Sequence, residues 1–101
     1  SKGYYIRHTN WRNEKDELDI VAEKDGQLIV VEVKTRSTET FEHPKEAITN
    51  AKIRRIVNAA QAYIFTYDIT METRFDVISV ISKGQNFEIE HIKDAFLAPV
   101  N

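Results

Sequence analysis

Residues 18–36 read Leu18-Asp-Ile-Val-Ala-Glu-Lys-Asp-Gly-Gln-Leu-Ile-Val-Val-Glu-Val-Lys-Thr-Arg36, and in this segment two β-branched runs flank Asp25-Gly26. Asp-Gly between such runs is the strongest short-range signal for a two-residue hairpin, because a type I′ turn needs a positive φ at both central residues. The segment therefore predicts two antiparallel strands joined at Asp25-Gly26.

The register of this hairpin follows once Lys24 faces Gln27 across the turn, because side chains two apart along a strand share a face. One face then carries apolar pairs and is expected to be buried: Ala22 with Ile29, Ile20 with Val31, and Leu18 with Val33. The other face carries Val21 with Val30, Asp19 with Glu32, and Glu17 with Lys34. Three carboxylates and one lysine are thus predicted to meet at one end of the hairpin.

The opposed carboxylates of Asp19 and Glu32 indicate a metal site. Directly opposite residues of an antiparallel pair have Cβ atoms roughly 4.5 to 5.5 Å apart, where like charges are destabilising. A hard divalent cation offsets that repulsion, since Mg²⁺ takes oxygen ligands from one or two carboxylates and is completed by water and substrate phosphate. Lys34 would then lie beside the metal, where an ammonium orients an attacking water or stabilises developing charge. In the alternative interpretation this is a solvated hairpin end with Glu17 paired to Lys34, which leaves the opposed acids unexplained.

An Asp followed by Glu-x-Lys on the next strand resembles the active-site pattern of the restriction-endonuclease-like nucleases. Further blocks, in order along nearly the whole chain, resemble the YraN-like family, uncharacterised bacterial proteins of predicted endonuclease fold; the archaeal Holliday junction resolvases are similar more distantly. The matching blocks are Tyr4-Tyr5-Ile6, Asn10-Trp11-Arg12, Glu17 to Ala22, Val31 to Arg36, Lys52 to Ile56, and Arg74 to Ile78.

The resemblance implies metal-dependent hydrolysis of DNA phosphodiester bonds, with branched or junction DNA among the substrates. It implies that Asp19, Glu32 and the main-chain carbonyl of Val33 hold Mg²⁺ or Mn²⁺, that Lys34 positions or activates the water, and that Glu17 is an outer ligand or the partner of Lys34. The alternative is a nucleic-acid-binding module of the same fold that has lost catalysis. A structural or protein-partner domain would leave the carboxylate pair unexplained.

The chain departs from the family's pattern at two places. Family members usually open with a helix bearing a glutamate that joins the metal site in the resolvases, whereas this sequence starts at Ser1-Lys2-Gly3-Tyr4. The family also tends to carry glycine before the Glu-x-Asp step, where this chain has Asp16. That change adds a negative charge beside the predicted metal site.

The net charge of −2 is unusual for a nucleic-acid-binding domain, but the local distribution of charge suits a phosphodiester substrate. Residues 14–25 are strongly acidic, whereas residues 45–55 hold four cations against Glu46. The candidate DNA contacts are Arg12, Arg36, Lys52 and Arg55. A solvated helix face is the alternative for residues 45–55.

The remaining segments predict a single α/β domain over residues 1–101, restriction-endonuclease-like, with a central mixed sheet flanked by helices. Tyr4-Tyr5-Ile6 indicates a first strand and residues 7–13 a polar bend. A helix is expected from Pro44 to about Phe65, because apolar residues recur there at helical spacing. Two further strands are predicted at residues 74–81 and 87–92, across a turn at Gly84.

Some side chains are expected to be structural. His8, His43 and His91 show no metal-ligand spacing, so we expect them to be ordinary surface or turn histidines. Trp11 is expected to be a half-buried packing residue. Arg74 and Asp76 share a strand face and are expected to pair, with a phosphate contact for Arg74 as the alternative.

Composition places the chain in a broad class. A length of 101 residues with 42% hydrophobic content predicts one domain near the lower end for independent stability. The sequence has no cysteine, no long apolar run and no basic-then-apolar leader, which predicts a soluble cytoplasmic protein without a membrane segment. DNA is the expected partner, and a homodimer is left open because resolvase-like proteins are commonly dimers.

Overall fold

The computed structural model of the chain describes residues 2–37 and 48–98. This part of the chain contains five strands and one helix: β1 (Tyr5–Asn13), β2 (Asp16–Lys24), β3 (Gln27–Ser37), α1 (Asn50–Thr66), β4 (Glu72–Lys83) and β5 (Asn86–Ile92). The strands form one sheet in the order β1-β2-β3-β4-β5, with β3 and β4 parallel and every other pair antiparallel. The predicted α/β class and mixed sheet are confirmed. The prediction of several flanking helices is not met in the described ranges, which contain one helix, α1.

The hairpin of β2 and β3 turns where the sequence predicts. Asp25 has φ 51° and Gly26 has φ 77°, the positive values that a type I′ turn requires. Lys24 faces Gln27, and the predicted register holds as far as the pair of Ile20 with Val31. The ladder ends there, so the three pairs expected beyond it, which involve Leu18, Asp19 and Glu17, are not ladder pairs.

Leu18 lies in a different core from the one that the alternation predicts. It packs with Val21, although residues three apart in a regular strand point to opposite faces. Opposite this point on β1, Asn10 adopts a φ of 52° between the pairs Thr9–Ile20 and Trp11–Leu18. Asparagine enters this left-handed region more readily than most residues. The prediction that Leu18 joins Ile20 and Ala22 on one face is therefore wrong.

Strand β1 is longer than predicted. Residues 7–13 form strand rather than a bend, with a register shift between Ile6 and His8. Polar side chains are tolerated there because β1 is an edge strand, and its backbone finds partners in β2. Long-range pairing outweighs the polar composition of this segment.

Helix α1 begins at Asn50, with Thr49 as its N-cap. The Oγ1 of Thr49 accepts a hydrogen bond from the Lys52 N–H at 3.1 Å, the usual capping geometry. The predicted start at Pro44, together with His43 and the basic Lys45, falls within residues 38–47, outside the described residues. The end is close to the predicted one.

The sheet has a core on each face. The first lies between the sheet and α1 and consists of Leu18, Val21, Leu28, Val30, Ile56, Val57, Ala59, Ala60, Tyr63 and Phe75. The second consists of Ala22, Ile29 and Val31, with Tyr4, Ile20 and Ile78 packed against them. Central strands buried on both faces read as continuous apolar runs, as residues 28–31 do. In the described ranges, α1 is not long and apolar enough to cross a membrane.

Candidate functional site

Glu32 points toward the helix side of the sheet. It follows Val30 by two residues on β3, so the two side chains share a face, and Val30 belongs to the core beneath α1. Only 7% of Glu32 is exposed. Its Oε2 lies 3.5 Å from the Nζ of Lys52, in the first turn of α1.

Asp19 is held beside Glu32 by a hydrogen bond to the main chain. Its Oδ2 accepts from the Val33 N–H at 2.9 Å. This bond lies just beyond the last ladder pair of β2 and β3, so the side chain takes the place of a backbone carbonyl. The two predicted carboxylates are therefore neighbours, although they are not opposed in the ladder.

The electrostatics of Glu32 reflect this crowding. Burial raises the pKa of Glu32 above its ordinary value, the negative charge of Asp19 raises it further, and the ammonium of Lys52 acts in the opposite direction. The carboxylate is thus a buried anion whose neighbours only partly compensate its charge. Additional positive charge at this point would stabilise the ionised form.

The donor set fits a hard divalent cation that keeps several waters. Asp19 and Glu32 would supply two carboxylates, and Mg²⁺ is usually bound by one or two carboxylates together with water and phosphate. Within residues 2–37 and 48–98, no three side chains of the His, Cys, Asp and Glu types lie together as a metal cage. Glu17 stands apart from the pair, because its Oε1 accepts from Arg12 at 3.4 Å.

Lys34 is half-buried on β3, two residues beyond Glu32. It makes no hydrogen bond or ion pair with the described residues, so the expected pairing of Glu17 with Lys34 is not found. Its ladder partner on β4 is Ser79, which is fully buried. The Ser79 hydroxyl has no hydrogen-bond partner among the described residues. Sequence reasoning missed Ser79, because nothing marks a serine within an apolar strand.

The four candidate DNA contacts occupy different environments. Arg12 is exposed and pairs with Glu17 at the surface, while Arg55 is exposed on α1. Arg36 is half-buried near the end of β3. Lys52 contacts Glu32, so its ammonium is engaged at the carboxylate pair.

The sequence profile of the uncharacterised protein family UPF0102 matches residues 1–80. The chain belongs to this family. It is 57% identical over 97 residues to a UPF0102 protein of Bacteroides fragilis, a match that covers 96% of this chain and 80% of the relative. It is 52% identical over 98 residues to one of Bacteroides thetaiotaomicron, with coverages of 97% and 81%. A relative from Myxococcus xanthus is 42% identical over 97 residues, with coverages of 95% and 77%. The resemblance to the YraN-like family is confirmed.

A second polar network of this UPF0102 chain is centred on Asp76, which is fully buried. Its carboxylate accepts from Arg74 Nε and Nη2 at 2.9 and 2.8 Å and from the Asp94 N–H at 2.9 Å, and it lies 2.7 Å from His91 Nε2. Burial alone would raise the pKa of Asp76, but these hydrogen bonds hold it below its ordinary value. The predicted pair of Arg74 with Asp76 is confirmed. His91 is exposed, as predicted for a surface histidine, and β5 also brings its Nε2 against the Asp76 carboxylate.

A third network joins β1 to the helix. The hydroxyl of the buried Tyr63 accepts from Arg7 Nε at 2.8 Å and lies 2.7 Å from His8 Nδ1. The hydrogen bond to Tyr63 is the main cause that raises the pKa of Arg7. Trp11 packs edge-on against Tyr63 with ring centroids 5.1 Å apart, as expected of a half-buried packing residue. His8 is part of this network, so its prediction as an ordinary surface residue is wrong.

Proposed function

We propose that this UPF0102 protein is a metal-dependent endonuclease that hydrolyses DNA phosphodiester bonds, branched or junction DNA among them, with a restriction-endonuclease-like site. The observation that carries the proposal is the half-buried Asp19 beside the buried Glu32, on adjacent strands just beyond the last ladder pair of the hairpin. Two acids held this close cost stability, and a structural role alone does not account for them.

In this proposal Asp19, Glu32 and the Val33 carbonyl would hold Mg²⁺ or Mn²⁺. The metal, when bound, polarises the phosphoryl group and lowers the pKa of a bound water. The Val33 N–H orients the Asp19 carboxylate through its hydrogen bond, so that one carboxylate oxygen faces the site. Lys34 lies next to Glu32 along β3, where its ammonium orients the attacking water and stabilises negative charge on the phosphate.

The experiment is a cleavage assay on linear, branched and single-stranded DNA with Mg²⁺ or Mn²⁺, and with EDTA in parallel. The wild type should cleave only with metal. Lys34→Ala should lower the cleavage rate by about a hundred-fold or more, the scale seen when one group that stabilises transition-state charge is removed from an active site. DNA affinity should change little, because one lysine supplies a small part of the total phosphate contact.

Lys93→Ala is the matched control, since it removes an exposed lysine beyond β5 and should cleave like the wild type. Full-rate cleavage by Lys34→Ala would contradict the mechanism. Salt-sensitive DNA binding by the wild type, without cleavage under any metal condition, would instead establish a binding module that has lost catalysis.

A further inference from the structure

Lys52 occupies a position in α1 where a lysine is electrostatically unfavourable. It is the third helical residue after the N-cap Thr49, and its own N–H donates to the Thr49 hydroxyl. The first turn holds no acidic residue. Because the N-terminal end of a helix carries partial positive charge, a cation in this turn is disfavoured and an acid is the common choice. The position of Lys52 therefore needs an explanation from outside the helix.

That explanation is the Glu32 carboxylate. The ammonium of Lys52 lies 3.5 Å from Glu32, which is almost fully buried, while the Lys52 side chain remains 43% exposed. Lys52 thus supplies one positive charge to a pair of acids from the open side of the site. Its four-carbon stem lets the ammonium turn into solvent without any change in the backbone.

A lysine at this point competes with a metal ion for the same carboxylate. A divalent cation held by Asp19 and Glu32 brings two positive charges where Lys52 brings one, and the two cations repel each other at close range. Metal binding therefore weakens the pair of Lys52 with Glu32, and that pair lowers the affinity for metal.

We propose that Lys52 is a positioning residue that holds Glu32 in the metal-free protein and is displaced when the divalent cation binds, so that it sets the metal affinity of the site. This inference rests on the proposed metal site. It assigns Lys52 to Glu32 rather than to the DNA backbone.

The test is a Mn²⁺ titration of the whole chain by electron paramagnetic resonance of the free ion, comparing the wild type with Lys52→Met. Methionine keeps much of the length of the stem and removes the charge. Exposed ion pairs contribute little, so Lys52→Met should lower the Kd for Mn²⁺ by about two- to five-fold. A merely structural lysine would not tighten metal binding when it is removed.

Arg55→Met is the matched control, because Arg55 is an exposed cation of the same helix and has no contact with Glu32. It should bind Mn²⁺ like the wild type, and Lys52→Arg should keep a Kd close to that of the wild type. Thermal melts give an independent readout that needs no activity. Lys52→Met should melt below the wild type in EDTA, since Glu32 is left buried without a partner, and the gap should close with saturating Mn²⁺.

An unchanged or higher Kd for Mn²⁺ in Lys52→Met overturns the exchange of Lys52 for the metal ion at Glu32. The proposed nuclease stands in that case if the wild type binds Mn²⁺ and cleaves DNA. A melting gap that is equally wide in EDTA and in Mn²⁺ also overturns it, because Lys52 would then stabilise the fold without involving the metal. A wild type that binds no Mn²⁺ overturns the metal site itself, and the exchange with it.

Discussion

Two buried carboxylates of this chain differ in how their charge is compensated. Asp76 is surrounded by donors from Arg74, His91 and the main chain, which hold its pKa below the ordinary value. Glu32 is buried beside another acid, and its pKa is raised. A fully satisfied buried anion supports the fold, whereas an under-compensated one costs stability.

The Asp76 network gives a prediction about stability and pH. Removing one partner of a buried ion pair leaves the other uncompensated, so Asp76→Asn should lower the free energy of unfolding at pH 7 by about 3 kcal/mol. Because the folded-state pKa of Asp76 is lowered, its contribution is present above the unfolded pKa of about 3.9 and is lost as pH falls through the folded value. The difference between wild type and variant should therefore narrow below about pH 4, as followed by urea unfolding at several pH values.

Glu72→Gln is the control for this measurement, since it neutralises an exposed acid at the start of the same strand. It should change the stability by less than about 0.5 kcal/mol. A loss in Asp76→Asn that stays constant from pH 7 to pH 3 would show that packing, and not the charge of Asp76, accounts for the effect.

The hairpin of β2 and β3 is the element that assembles the candidate site. Its turn fixes the register, and the register places Asp19 and Glu32 on adjacent strands just beyond the last ladder pair. Beyond the last ladder pair of the hairpin, Leu18 leaves the regular alternation of β2 and joins the core beneath α1. Asp19 can therefore bond the Val33 N–H rather than face Glu32 in the ladder.

The turn gives a prediction at this scale. Gly26 has φ 77°, and a Cβ added there would meet nothing within 4 Å, so Gly26→Ala changes only the backbone energy. It should destabilise the fold by about 1 kcal/mol, the cost of holding alanine in the left-handed region. Asp25→Asn should be neutral, because asparagine tolerates the φ of 51° at that position. Chemical unfolding of both variants measures this, and a neutral Gly26→Ala would mean that the turn does not hold the register.

At the scale of the whole molecule, the net charge of −2 means that any DNA contact must come from a local basic surface. In the structure, Lys52 of the basic set predicted on α1 lies against Glu32. Arg54 and Arg55 remain exposed on the same helix. These two arginines are the cations of α1 that are available to a phosphate backbone.

Replacing Arg54 and Arg55 with alanine should weaken DNA binding for every DNA sequence. The slope of the logarithm of the DNA-binding constant against the logarithm of salt concentration should fall by about 2, because each lost phosphate contact contributes about 0.9. Fluorescence anisotropy over a range of salt concentrations measures the slope. Lys2→Ala combined with Lys93→Ala removes two exposed lysines away from the helix and should leave the slope unchanged. Equal slopes for the arginine variant and the wild type would place α1 outside the DNA path.

The sequence by itself determined the features that depend on neighbouring residues. Asp25-Gly26 specified the hairpin and its register, because few residue pairs adopt two positive φ values at low cost. Arg74 and Asp76 were predictable as a pair, since residues two apart on a strand share a face. The motif around Glu32 also identified the family.

The tertiary structure decided the contacts between segments that are distant in sequence. Leu18 lies in the core under α1 although alternation along β2 predicts the other face. Residues 7–13 form a strand because β2 supplies backbone partners. Lys52 contacts Glu32 because the crossover from β3 to β4 packs α1 against the sheet. His91 contacts Asp76 because β5 pairs antiparallel with β4. Local periodicity carries no information about such pairings, because they depend on how complete elements pack.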